Sequence, residues 1–193
     1  MRLVAGRLRG RTLAAPPGDT VRPTGDRARQ AVFNIIEHGP WAAGGSAIAG
    51  ARVADLFAGT GAFGLEALSR GAAEAVFVEK NPEPLSFLRK NIAALDVEAQ
   101  VRVLRADATR LETTSRPFGL VFLDPPYHKD LCAPALAALA RHRWLAPGSR
   151  LVVEVAADER LPPPDGFTPD DERVYGAARV YFLTYEGLAP LRE

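Results

Sequence analysis

An apolar segment, Ala51 to Leu56, runs straight into Phe57-Ala58-Gly59-Thr60-Gly61-Ala62-Phe63-Gly64, and a helical pattern follows to about Arg70 before Gly71 stops it. A G-x-G-x-x-G run between a strand and a helix restricts the fold strongly, because it suits the tight turn of a parallel βα unit. The pattern then repeats. Ala75 to Glu79 reads as a second strand, Pro82 to Ala94 as a helix with proline near its first turn, and Val101 to Arg105 as a third strand. Gly119 to Leu123 is a continuous apolar run, as expected of a strand buried on both faces, and Pro125 and Pro126 end it at Asp124. Leu131 to Leu145 is expected as a helix and Arg150 to Val155 as a fifth strand. Strands alternating with helices predict a doubly wound, mostly parallel α/β sheet. Beyond a proline-rich loop, Leu161 to Pro169, the segments Arg173 to Tyr175 and Arg179 to Tyr185 leave no room for a crossover helix, which predicts a closing antiparallel hairpin.

Ahead of the sheet, Ala28, Ala31, Val32, Ile35 and Ile36 recur at helical spacing, so a helix is expected over Asp26 to Glu37 after a turn at Arg22-Pro23-Thr24. Gly39 to Gly50, rich in glycine and alanine, reads as a flexible connector. The expected division is a basic N-terminal extension and covering helix over 1–38, the connector over 39–50, and the main domain over 51–193. A net charge of +1 hides an asymmetry: residues 1–30 hold seven arginines against Asp19 and Asp26, a balance of +5 that leaves −4 elsewhere. Such a segment suits a polyanion, since arginine pairs with phosphate through two parallel hydrogen bonds, or it is simply a solvated arm. The lone Cys132 excludes an internal disulfide, and His38, His128 and His142 are not spaced as metal ligands, so no metal is expected. No signal peptide or membrane span is read, and a cytoplasmic monomer is expected.

Glycines at Gly59 and Gly61 let the backbone approach a ligand, and Glu79, 20 residues beyond Gly59, can accept hydrogen bonds from two ribose hydroxyls. The motif points to a ribose-bearing cofactor without saying which: a dinucleotide and S-adenosyl-L-methionine both fit. Three features favour the second. Asp55, just before the loop, suits a positively charged methionine end and would be repelled by a pyrophosphate. Asp107 can accept from an adenine amine, or cap the turn that follows it. Asp124-Pro125-Pro126-Tyr127 has no evident task in hydride transfer.

That tetrapeptide suits an amine on a planar base. An aryl amine is a weak nucleophile because its lone pair is delocalised into the ring. Hydrogen bonds from its two protons to the Asp124 carboxylate and the Pro125 carbonyl would aim the lone pair at a methyl donor, and Tyr127 can stack on the base. Alternatively the tetrapeptide is a strand-ending turn.

Arg22 to Asn34, Asp55 to Gly71, Val78-Glu79-Lys80-Asn81, Asp124 to Tyr127 and the opening Leu3 to Leu13 together resemble the RsmD family, bacterial 16S ribosomal RNA guanine-N2 methyltransferases, over nearly the whole chain. The resemblance implies a seven-stranded Rossmann-like methyltransferase sheet, S-adenosyl-L-methionine as cofactor, and 16S RNA in the 30S subunit or an assembly intermediate as partner. It implies cofactor contacts from Thr24, Arg27, Asp55, Ala58, Gly59, Thr60, Gly61, Glu79, Lys80, Asn81, Asp107 and Ala108. Asp124, Pro125 and Tyr127 would take the base, and Arg7, Arg9, Arg11 and Arg22 would meet RNA. Gly25 stands where the family usually has threonine, and Thr60 where it has serine. The rival activities are DNA adenine-N6 methylation, for which no separate target-recognition domain is visible, and nucleotide or RNA binding without catalysis.

Overall fold

Seven strands form one sheet in the order β3-β2-β1-β4-β5-β7-β6 in a computed structural model that describes residues 1–17 and 23–188. The strands are β1 (Arg52–Leu56), β2 (Glu74–Val78), β3 (Val101–Leu104), β4 (Leu120–Leu123), β5 (Ser149–Ala156), β6 (Phe167–Tyr175) and β7 (Ala178–Tyr185). The first five are mutually parallel, whereas β7 runs antiparallel to both β5 and β6. The helices are α1 (Pro23–His38), α2 (Ala62–Ser69), α3 (Pro82–Leu95) and α4 (Cys132–Arg141). From β1 the chain winds outward through β2 to β3, then returns to place β4 on β1's other side. The carboxyl ends of β1 and β4 therefore flank the point where the winding reverses, which is where open α/β sheets form a ligand crevice.

Alternation along the strands divides the core between two faces. Val53, Phe77, Leu120, Phe122 and Val152 pack with α1, α2 and α3, while Ala54, Leu56, Val121, Leu123, Leu151 and Val153 pack with α4. Period-two geometry thus places Asp55, Asp124 and Glu154 toward the α1-bearing face. On that face Phe33 of α1, Phe63 of α2 and Phe122 of β4 form an aromatic cluster with ring centroids 5.0 to 6.2 Å apart.

Three expectations are revised. The helix ends at Arg141 rather than Leu145, because Arg143 takes a left-handed φ of 59° and the Trp144 N–H donates to the Leu139 carbonyl, closing the end without a glycine. The closing hairpin is longer than expected, since β6 already starts at Phe167; Pro169 is tolerated on this edge strand, where the register shifts between Pro169 and Asp171. The glycine-rich connector is anchored: it holds a 3₁₀ turn over Pro40–Gly44, and Trp41 and Ile48 are buried.

The N-terminal segment is not a solvated arm. Arg2 bridges Thr12, and Leu3, Leu8 and Leu13 are buried in the same core as α1 and the sheet. Beneath this hairpin lies Glu66 of α2, fully buried, whose carboxylate accepts from the Val4 N–H at 2.8 Å, the Ala5 N–H at 3.0 Å and the Arg70 guanidinium at 2.7 Å. A buried charge is tolerated when paired and hydrogen-bonded in this way. No helix among the described residues is long and apolar enough to cross a membrane.

Candidate functional site

A cleft of about 850 Å³ opens at the carboxyl ends of β1 and β4, between the glycine loop and α1. The loop's shape is fixed by its own backbone: the Ala58 N–H donates to the Val78 carbonyl at 3.0 Å and the Gly61 N–H to the Ala58 carbonyl at 2.7 Å. At Gly61, φ is 89°, and a Cβ would lie 2.4 Å from Leu88 Cδ1. At Gly64 a Cβ would lie 2.4 Å from the Phe77 ring, so this glycine lets α2 sit directly on β2. Asn91 of α3, almost wholly buried, donates to the Thr60 carbonyl at 3.0 Å and exchanges hydrogen bonds with the backbone of Ala14, tying the loop to the end of the N-terminal hairpin.

Glu79 follows β2 and ties the glycine loop to the start of α3. Its Oε2 accepts from the Gly59 N–H at 2.9 Å and its Oε1 from the Asn81 N–H at 2.7 Å. Each carboxylate oxygen has a second lone pair, so the group is oriented and can still accept from a ligand's hydroxyls. Asp55 is 2% exposed; its Oδ2 accepts from the Gly64 N–H at 2.8 Å in the first turn of α2. Burial pushes its carboxyl up to about 7, opposed by the Gly64 hydrogen bond and assisted by the negative charge of Glu79. A cation in the cleft would favour its ionised form.

The other cofactor candidates divide. Ala58, Gly59, Thr60, Glu79, Lys80, Asn81 and Ala108 line the cleft with Asp55, whereas Gly61 and Asp107 are not among its lining residues. Asp107 Oδ1 accepts from the Thr109 N–H and hydroxyl, and Lys80 Nζ lies 3.4 Å from Oδ2; these contacts, the Thr109 pair foremost, hold its carboxyl below the usual range. On α1 the residues facing the cleft are Gly25, Asp26, Ala28 and Arg29, while Arg27 is exposed on the other side of the helix. Arg29 is buried and donates from Nη2 to the Arg2 carbonyl at 2.6 Å and to Asp26 Oδ1 at 2.8 Å. Thr24 lies in α1, and Arg22 falls outside the described residues.

Asp124, Pro125, Pro126 and Tyr127 line the same cleft. The Asp124 N–H extends the β4 ladder to the Leu56 carbonyl at 3.5 Å, which sets this residue beside the end of β1. Tyr127 donates its hydroxyl to Oε1 of Glu154, on β5, at 2.6 Å. The loop beyond is held by Glu159, which accepts from the His128 N–H at 3.0 Å and the Ala156 N–H at 2.9 Å.

Arg7 and Arg11 lie elsewhere. Arg7 donates to Gln100 Oε1, just before β3, and its N–H to the Ser69 carbonyl at the end of α2; Arg11 donates to the Ala94 carbonyl at the end of α3. These contacts are at the amino ends of the strands, the opposite edge of the sheet from the cleft. Arg9 is exposed between them on the hairpin. Sequence reasoning missed Glu154, Arg29, Glu66 and Asn91. Asn91 alone left a mark, as a polar residue among Leu85, Leu88, Ile92 and Leu95 on the buried stripe of α3.

The family model described as conserved hypothetical protein 95 matches residues 1–184. The chain is 36% identical over 191 residues to ribosomal RNA small subunit methyltransferase D of Escherichia coli K12, covering 97% of this chain and 92% of that one. It is 34% identical to the protein of the same name from Haemophilus influenzae, covering 91% and 89%. The solved structure of the Escherichia coli protein yhhF superimposes with a TM-score of 0.78 at 33% identity, covering 97% of this chain and 98% of that one.

Proposed function

Because the chain belongs to the conserved hypothetical protein 95 family, the RsmD-like methyltransferases, we propose that it methylates the exocyclic N2 amine of a guanine in 16S ribosomal RNA, using S-adenosyl-L-methionine. One observation carries this reading: Asp124, Tyr127, Gly59 and Thr60 of the glycine loop, and Glu79 all line one cleft at the switch point of the sheet. The donor set fits the cofactor. Glu79 is oriented to accept from ribose hydroxyls, and the buried Asp55, which holds its proton up to about pH 7 by itself, would ionise beside the positively charged methionine end. When bound, the cofactor supplies a methyl group on a sulfonium that a nitrogen lone pair can take in line.

The chain's residues do the rest by positioning. Asp124 Oδ and the Pro125 carbonyl accept the two N2 protons and aim the lone pair, which is where orientation contributes most to an otherwise uncatalysed attack. Tyr127, held by Glu154, offers a face for the base. The proton that the methylated amine must give up would leave through a carboxylate to water. A guanine paired in a helix has to be extruded to enter such a cleft. Arg7, Arg9 and Arg11 are proposed to meet RNA phosphates along the flank remote from the cleft, which requires RNA extending beyond the target nucleotide.

The test is methyl transfer from labelled S-adenosyl-L-methionine to 30S particles or 16S RNA from cells lacking this enzyme, with the modified base identified. Methylated guanine is expected, and Asp124→Ala is expected to lose transfer while still binding S-adenosyl-L-homocysteine. Modification of DNA adenine in place of RNA guanine would sink the reading, and undiminished transfer by the variant would remove Asp124 from its role.

A further inference from the structure

Glu154 was assigned no chemistry by the sequence, yet its position is specific. Leu56 pairs with Leu123 and Leu123 with Val153, so Asp124 and Glu154 are next in register on adjacent parallel strands. Neighbouring strands lie about 4.8 Å apart, and residues paired in a parallel ladder point to the same face. Both residues line the cleft, and the Tyr127 hydroxyl, bonded to Glu154 Oε1 at 2.6 Å, orients the second carboxylate beside the ring proposed to carry the base.

Glu154 thus adds a second carboxylate, oriented by Tyr127, next in register to that of Asp124, and both carboxylates offer acceptors. Among bases with an exocyclic amine, guanine alone sets a ring N–H next to that amine: its N1–H adjoins the N2 protons. Adenine places the bare N1 beside its N6 amine, and cytosine the bare N3 beside its N4 amine, so either would turn a lone pair toward the second carboxylate. A site built to accept a hydrogen bond rejects an analogue that lacks the donor, because buried polar groups are then left facing one another. We propose that Glu154 is the specificity-determining residue for the base, accepting the guanine N1–H while Asp124 accepts an N2 proton, and so excluding adenine and cytosine. The inference rests on the proposed guanine-N2 activity and adds to it the residue that selects the base.

The test replaces the target guanine in the RNA by 2-aminopurine, which keeps the 2-amine and has no proton on N1. For the unaltered enzyme kcat/KM is expected to fall about ten- to a hundredfold on this change, the discrimination of one well-placed polar contact. In Glu154→Gln the amide can still accept from Tyr127 and can turn its NH2 toward a bare N1, so the ratio of guanine to 2-aminopurine is expected to collapse toward one. S-Adenosyl-L-homocysteine affinity, measured by calorimetry, is expected to match the unaltered enzyme and so reports a folded variant. Equal use of both bases by the unaltered enzyme would overturn the inference, and that measurement decides alone if the variant does not fold. An unchanged ratio in a folded Glu154→Gln would also overturn it, leaving Glu154 as a support for Tyr127. An unaltered enzyme that methylates adenine and not guanine would instead mark the failure of the underlying activity.

Discussion

Asp55 is a carboxyl in a place where ionisation is costly, and Asp55→Asn isolates that cost. Its carboxyl is pushed up to about 7 in the folded protein from an ordinary 3.8, burial being the main cause. Between those values the folded state holds a proton that the unfolded chain has released. Stability from this group is therefore fully present below about pH 4, declines as the pH rises toward 7, and is constant above. At about 1.4 kcal/mol per tenfold change in proton affinity, the full decline is on the order of 4 kcal/mol. Asparagine keeps an oxygen for the Gly64 N–H and has no charge to bury, so the variant should lack this decline. Urea unfolding at pH 4.5 and pH 8 for both proteins gives the difference of differences, in which the other titrating groups cancel. Asp55→Asn is expected to gain stability relative to the parent on moving from the lower to the higher pH, while losing affinity for a sulfonium cofactor. The same pH dependence in both proteins would refute the buried, proton-holding state of Asp55.

Gly64→Ala would drive a methyl group against the fully buried Phe77 ring and is expected to cost about 1–3 kcal/mol, read as a lowered Tm; an unchanged Tm would show that α2 has room to move. Glu66→Ala leaves the Val4 and Ala5 N–H groups without their acceptor and Arg70 short of a partner, so about 3–5 kcal/mol of stability and much of the protease resistance of residues 1–13 should be lost; limited proteolysis checks this, and an equally resistant hairpin would show that its leucines hold it unaided. Replacing Arg7, Arg9 and Arg11 together by alanine should weaken RNA binding and flatten its salt dependence with S-adenosyl-L-homocysteine affinity intact. Equal salt slopes would restrict the RNA footprint to the cleft side. Whole-segment deletion is the wrong tool here, because Leu3, Leu8 and Leu13 belong to the core.

Local chemistry was legible in the chain. A short apolar run such as Leu120 to Leu123, bounded by Gly119 and two prolines, reads as a buried strand ending at Asp124, and glycines at 59, 61 and 64 mark a close turn. These signals sit within a few residues of their effect, so they placed β1 to β5, the glycine loop and the tetrapeptide where the structure has them. Where a helix ends on a non-glycine residue the signal is silent, which is why Arg143 stopped α4 unannounced. The N-terminal arginines likewise revealed their charge and not their place: the leucines between them dock the hairpin, and its tip lies at the far edge of the sheet.

What the sequence determined by itself, then, was the strand and helix alternation, the cofactor loop and a carboxylate at the end of a strand. The tertiary structure decided which second residue stands beside each of these: Glu154 next to Asp124, Arg29 rather than Arg27 against the cleft, Glu66 beneath the hairpin, Asn91 under Thr60. The reason is physical. Those pairings depend on strand register and on which face of a helix is pressed to the sheet, and both are fixed only when distant segments pack together.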